Sequence, residues 1–352
     1  MSPSIRFPEF NGEWVLNEMW NIAPLQRGFD LPSGNVLDGT IPVVYSNGIL
    51  RYHNDYKCKA PAVITGRSGT IGKFTYLDKG YYWPHNTTLW VTDFCHNNPK
   101  FIYYLYQTIN ISQFATGSGV PTLNRNDVHR HRCYLPKSID EQRKIAAFLS
   151  LIDERIAIQD RLIEDLKKLR CAVSNKLFQS VKGVVIPLSG ISNIVKGKQI
   201  NGDFLADVGE YYVMNGGTEP SGYYDNYNVE ANTISISEGG NSCGYVQFNR
   251  MPFWSGGHCY TIQDIVSDVE TLYLYHYLKS KEDSIMKLRI GTGLPNIQKK
   301  DLAEFKVIIL AIEQQRTISN ILSLLERKTE IEGRMLIAMR TEKQYLLHQM
   351  LI

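Results

Sequence analysis

Residues 138–179 read SIDEQRKIAAFLSLIDERIAIQDRLIEDLKKLRCAVSNKLFQ, with no glycine and no proline. Apolar side chains recur at Ile145, Leu149, Ile152, Ile156, Ile163, Leu166, Val173 and Leu177. Steps of three, four and seven along a chain free of breakers describe the a/d seam of a long coiled-coil helix. Ser138 precedes Glu141 by three residues, the spacing of a capping box. At 1.5 Å per residue such a helix would be roughly 60 Å long. Its seam cannot be buried without a partner helix.

The partner lies in the same chain. Residues 312–350, IEQQRTISNILSLLERKTEIEGRMLIAMRTEKQYLLHQM, repeat the pattern: DEQR at 140–143 matches EQQR at 313–316, and LSLID at 149–153 matches LSLLE at 322–326. Upstream of each helix, GSGVPTLNRND at 117–127 matches GTGLPNIQKKD at 291–301. The period is about 173 residues, a domain plus its helix rather than a solenoid unit. A tandem duplication follows, with boundaries at 1–137 (first globular domain), 138–180 (central long helix), 181–311 (second globular domain) and 312–352 (C-terminal long helix). Within 1–137, short β-branched runs at 40–45, 62–65 and 87–92 alternate with turn residues, and a helix is expected at 98–111, echoed in the second half by one at 269–288. The fold class is therefore α+β, each globular domain a mixed, mainly antiparallel sheet plus helices. Between the halves, YSNG at 45–48 aligns with VMNG at 213–216, AVITGRSG at 62–69 with TISISEGG at 233–240, and His85 with His258. The helices match well and the loops poorly, as expected if each half binds something different. Gly333 interrupts the second helix, at a cost of about 1 kcal/mol relative to alanine, and suggests a bend or a close helix crossing.

With 352 residues the chain exceeds one hydrophobic core. A net charge of +3 is too small for histone-like non-specific affinity, yet leaves room for local basic surfaces. The six cysteines show no paired spacing, consistent with free thiols in a reducing compartment. Neither a signal peptide nor a membrane span is legible. The expectation is a soluble, cytoplasmic protein.

Catalytic motifs fail one by one. The glycine-rich stretch at 66–74 has Arg67 and Phe74 where a phosphate-binding loop needs glycine and Ser or Thr. The Gly-x-Gly pairs at 117 and 291 lack the third glycine of a dinucleotide fingerprint. No His or Cys spacing suits a metal. What remains suits nucleic acid: loops in both halves mix cations, amides and aromatics. The candidate DNA-binding residues are Arg67, Ser68, Lys73, His85, Asn86, Asn124 and Arg125 in the first half. In the second they are Lys196, Lys198, Asn215, Glu238, Asn241, His258, Asn296, Lys299 and Lys300. Arg and Lys can read guanine, Asn adenine, and Glu can accept from cytosine, while other cations hold phosphates. Any one such loop is also ordinary polar surface; the duplicated placement carries the weight.

Two divergent α+β domains, each followed by a long helix opening with an acidic-Gln-Arg motif, resemble the specificity (S) subunit of type I restriction-modification systems over essentially the whole chain. The resemblance rests on GSGVP at 117–121 with DEQR at 140–143, GTGLP at 291–295 with EQQR at 313–316, and the helix ends KLFQ at 176–179 and LLHQ at 346–349. It implies two target recognition domains joined by two antiparallel coiled-coil helices with internal pseudo-two-fold symmetry. Each domain would read one half of a bipartite, asymmetric site in double-stranded DNA, with the coiled coil setting the gap. The chain itself would carry no cofactor and no catalysis. Two modification (M) subunits would bring S-adenosylmethionine and methylate adenine; restriction (R) subunits, where present, would bring ATP and Mg. By the same resemblance Glu141, Gln142, Arg143, Gln314, Gln315 and Arg316 are candidates for subunit binding. The competing readings are a different restriction system with a fused methyltransferase-nuclease, a cryptic enzyme, and a coiled-coil scaffold whose globular ends bind other proteins.

Overall fold

The breaker-free seam folds as expected. A computed structural model, describing residues 3–117, 119–291, 293 and 295–351, contains two long helices, Ile139–Gln179 and Ile312–Leu351. All eight seam positions of the first are buried or half-buried. Ser138 Oγ accepts from the Glu141 backbone N–H at 3.3 Å, so the cap sits where the spacing put it. Ser118, Thr292 and Leu294, within the two glycine-proline lead-ins, lie outside the described residues.

The chain divides into two compact units, Met1–Asp160 with Arg334–Ile352, and Arg161–Gly333. The cuts fall inside the long helices, so each unit holds a globular part and a stretch of both helices.

In the first unit, a four-stranded antiparallel sheet runs in the order Leu25–Arg27, Thr88–Val91, Ala62–Gly66, Phe74–Leu77. Ala62–Gly66 is buried along its whole length, as a central strand must be. A second sheet orders Gly48–His53, Ile41–Tyr45, Tyr81–Pro84 and Cys58–Lys59, its middle pair parallel. The helix Pro99–Thr108 is capped by Asn98, whose side chain accepts from the Phe101 N–H, with proline at its start. Phe101, Ile102 and Leu105 from this helix share one core with Ile145 and Leu149 of the first long helix and Leu347 and Met350 of the second. The two long helices run antiparallel here, Asp153 pairing with Lys343 at 2.6 Å and Asp160 with Arg340 at 2.8 Å.

The second unit repeats the plan. Its sheet orders Asn193–Lys196, Cys259–Gln263, Thr233–Ser237, Val246–Asn249, all antiparallel. Tyr211–Met214 again pairs in parallel, with Trp254–Ser255. A single helix expected over 269–288 is instead two, Thr271–Ser280 and Glu282–Met286, meeting at Lys281. Phe178, Tyr273, Tyr277, Ile318 and Leu322 fill the core beside the long helices, and Arg170 meets Glu326 at 3.2 Å.

Gly333 neither breaks the second helix nor makes a close crossing. The helix is continuous from Ile312 to Leu351, and a Cβ built at Gly333 meets nothing within 4 Å.

Candidate nucleic-acid interface

One backbone frame recurs in the loops of both units. In the first, Arg67 leaves the end of the central strand, its N–H donating to Thr87 O at 2.8 Å and its carbonyl accepting from Leu123 N–H at 2.7 Å. In the second, Glu238 N–H donates to His258 O at 2.9 Å and Glu238 O accepts from Ile297 N–H at 2.8 Å. A tryptophan braces each frame: Trp83 Nε1 donates to Phe29 O at 3.3 Å and Trp254 Nε1 to Lys198 O at 2.9 Å. Gly28 and Gly197 allow the close approach, since a Cβ at either would lie 2.2 Å from a carbonyl oxygen, of His85 and of Gly256 respectively. The order strand-end, tryptophan, short helix is thus built twice from the same hydrogen bonds.

This geometry corrects two alignments. Gly66 pairs with Thr88 and Ser237 with Cys259, so the counterpart of His258 is Thr87. His85 N–H donates to Val44 O as Gly256 N–H donates to Met214 O, at 2.9 and 2.8 Å, so His85 corresponds to Gly256. The same bonds set Tyr45, not Asn47, opposite Asn215. The sequence comparison slipped because insertions between strands leave no trace in loops that share few residues.

On this frame the candidate residues separate by role. Arg67 is half-buried, and its guanidinium has no ion pair among the described residues. Ser68 bridges to Thr122 in the backbone. Lys73 donates to Asn47 O at 2.8 Å, and Asn86 donates to Asp30. His85 packs against Tyr45, the tilted rings 4.3 Å apart, with its Nδ1 3.0 Å from Thr87 Oγ1, and burial holds its pKa below the usual value. Asn124 spends its Oδ1 capping the helix Arg125–Arg130, which leaves Arg125 exposed at its start. The polar run at 124–132 is not uniformly outward: His129 is buried, its Nε2 accepting from Leu25 N–H at 2.8 Å.

In the second unit Lys196, Asn215, Glu238 and His258 come together. Lys196 Nζ donates to Glu238 Oε1 at 2.6 Å, and Asn215 Oδ1 accepts from the His258 backbone N–H at 3.2 Å. Asn296 bridges to Gly239 in the backbone. Lys198, Asn241, Lys299 and Lys300 are exposed, the last two opening the helix Lys299–Ala303. Cytosine reading by Glu238 is not supported by its surroundings, because its side chain is buried against Lys196 and His258. The two tryptophans, which place these loops, were missed as a functional pair; their signal is the aromatic doublet before each histidine, YYWPH and PFWSGGH.

The acidic-Gln-Arg motifs turn out to serve the chain itself. Gln142 Oε1 accepts from Asn98 N–H at 2.8 Å, and its Nε2 donates to Asn97 Oδ1 and Pro136 O at 2.8 and 3.0 Å. Gln315 repeats this on Glu270 N–H, Asp268 O and Leu310 O at 2.9, 2.9 and 2.8 Å. Each glutamine locks the start of a long helix to the cap of the neighbouring globular helix. Glu141 is buried on Arg6 and Trp14 Nε1, at 2.7 and 3.1 Å. Buried and fully engaged, Glu141, Gln142 and Gln315 cannot offer a docking surface. Arg143, Gln314 and Arg316 remain exposed.

No group of three or more metal-ligating side chains forms among the described residues, and no helix among them is long and apolar enough to cross a membrane. The duplicated frame has a matching family: a model described as type I restriction modification DNA specificity domain aligns with residues 16–168 and again with 181–338. The chain belongs to that family. A type I specificity subunit carries the DNA-recognition role of its system and leaves catalysis to partner subunits. A putative type I specificity subunit of Mycoplasma genitalium is 25% identical over 343 residues, 89% of each chain. A second, from Mycoplasma pneumoniae, is 33% identical over 145 residues, 41% of this chain and 38% of that one. Among solved structures, the type I system S subunit from M. genitalium shares the fold at a TM-score of 0.73 and 22% identity, covering 100% of this chain and 99% of that one. A chain from a structure on complex assembly and conformational transition of the type I system aligns at 0.59 and 13% identity, covering 96% and 97%.

Proposed function

We propose that this specificity subunit reads a bipartite, asymmetric site in double-stranded DNA, one half-site for each target recognition domain (1–137 and 181–311), with the long helices setting the gap. The observation that carries this is the repeated frame with unlike side chains: Arg67 against Glu238, Thr87 against His258, Tyr45 against Asn215. Equal scaffolds position two readers alike; different side chains give them different bases. Arg125 and Lys299, each exposed at the start of the short helix behind the frame, suit phosphates in either half.

Two M subunits are the partners we assign, with R subunits joining where the system cleaves, in the cytoplasm that holds the DNA. Leu151 and Ile158 on the first long helix, and their repeat counterparts Leu324 and Ile331 on the second, are exposed apolar side chains on outward faces. Duplicated exposed apolar positions support a docking surface used twice. S-adenosylmethionine belongs to the M subunit, and ATP with Mg to an R subunit.

The test is co-expression with the M subunit and sequencing of methylated adenines, repeated after exchange of residues 187–311 for those of another specificity subunit. The expected result is one split motif with a fixed gap, of which the exchange alters one half. A change in both halves would contradict the modular reading, and a complex that methylates nothing sequence-specifically would favour the scaffold.

A further inference from the structure

We propose that Glu238 is a positioning residue that holds Lys196 and His258 as a donor pair for an acceptor-rich edge of DNA, either the O6/N7 edge of guanine or the oxygens of a phosphate. The inference rests on the DNA-reading role above and assigns a chemistry to one position of it.

The carboxylate is fixed before any ligand arrives. Its residue is 7% exposed, and its backbone is held by His258 O, Ile297 N–H and the Cys243 thiol, the last at 3.0 Å. Oε1 is saturated, accepting from Lys196 Nζ at 2.6 Å and from Tyr260 OH at 3.1 Å. Oε2 is different: it is buried and, among the described residues, has no hydrogen-bond partner. His258 Nδ1 lies 3.8 Å from it, within about an ångström of hydrogen-bonding range.

A buried carboxylate oxygen without a donor is rare and calls for one. The His258 ring can supply it with a small rotation, because its backbone is pinned by Asn215 while its side chain stays 64% exposed. With Nδ1–H turned to Glu238, Nε2 faces outward, and in the imidazolium form it is a second donor beside the Lys196 ammonium, itself 53% exposed. The acid thus anchors two donor side chains from below without itself meeting the ligand, as carboxylates orient histidines elsewhere. The first unit puts a cation at the same frame position directly, in Arg67. Two donors side by side on a rigid base match an acceptor pair and repel an exocyclic amino group.

The experiment uses the assembled complex with its M subunit, measuring binding to duplexes with single-base changes across both half-sites over a range of salt. Glu238→Gln keeps size and an acceptor for Tyr260 while removing the charge. For a guanine edge, discrimination at a single position of one half-site falls about tenfold or more while every other position and the other half-site hold. Lys196→Met gives the same relaxation, the double variant is no worse than either single one, and Glu238→Asp restores part of it. For a phosphate, Glu238→Gln instead weakens all sequences equally and lowers the salt slope by about one. Unchanged discrimination and unchanged slope in Glu238→Gln would overturn the proposal while leaving the DNA-reading role intact. Loss across the whole half-site with a lowered melting temperature, not rescued by aspartate, would reduce Glu238 to a structural residue. A wild-type complex without any sequence preference would sink the underlying reading as well.

Discussion

Gln142 and Gln315 have the most to lose from a single change. Each satisfies one backbone donor and two acceptors inside the protein. Truncation to alanine leaves those groups buried and unpaired, each worth about 1–3 kcal/mol. Gln142→Ala should therefore lower stability by about 2–4 kcal/mol, read as a urea midpoint; a shift within error would mean that water replaces the side chain. His276 predicts a pH dependence. Burial, reinforced by Arg170 and Arg250, pushes its pKa down to about 4, and it hydrogen-bonds with Ser323 at 2.9 Å. The unfolded chain takes up a proton near the ordinary value of about 6.5, whereas the folded one resists until about 4. The neutral imidazole's contribution is thus whole above about 6.5 and lost as pH falls towards 4, on the order of 3 kcal/mol in all. His276→Gln cannot titrate, so its urea midpoint should fall less between pH 7 and 5 than that of the parent. Equal falls would assign the acid sensitivity to other groups.

At the scale of elements, the long helices obey their pattern and the exception is instructive. Gly333 lies within an unbroken helix, with open space where a side chain would go. Gly333→Ala should stabilise the protein by about 1 kcal/mol, as backbone entropy is removed at no steric cost. A melting temperature that falls instead would mean that the glycine serves a bend or a partner. The outward faces of these helices are a separate question from their seam. Leu151→Glu with Leu324→Glu should leave melting unchanged and abolish co-purification with the M subunit. Retained co-purification would move the interface elsewhere. Seam and cap were legible in the sequence because both are local: period and capping need only the neighbouring turn. The break at Lys281 was not, since the helix Thr271–Ser280 stops where Glu282 turns to accept from Val246 N–H at 2.8 Å and from Lys279 at 2.5 Å. The bond from Val246 joins residues far apart in the chain.

For the whole molecule, the consequence of duplication is that each half should fail separately. Arg125→Ala or Lys299→Ala should weaken DNA binding about equally across sequences and reduce the salt slope by about one each. Sequence-dependent losses would make them base readers, and unchanged isotherms would remove them from the interface.

The sequence by itself determined the repeat, the two long helices, the α+β class and the family, because these rest on periodicity and on motifs present twice. Only the tertiary structure decided which residues share a site. It paired Thr87 with His258 rather than His85, turned His129 inward, buried Glu238 beneath Lys196 and His258, and converted Gln142 and Gln315 from candidate docking residues into internal latches. The reason is physical. Strand register and the burial of a polar side chain are settled by contacts between distant segments, and a lone glutamine or glutamate reads the same whether its partner will be water, another protein or its own chain.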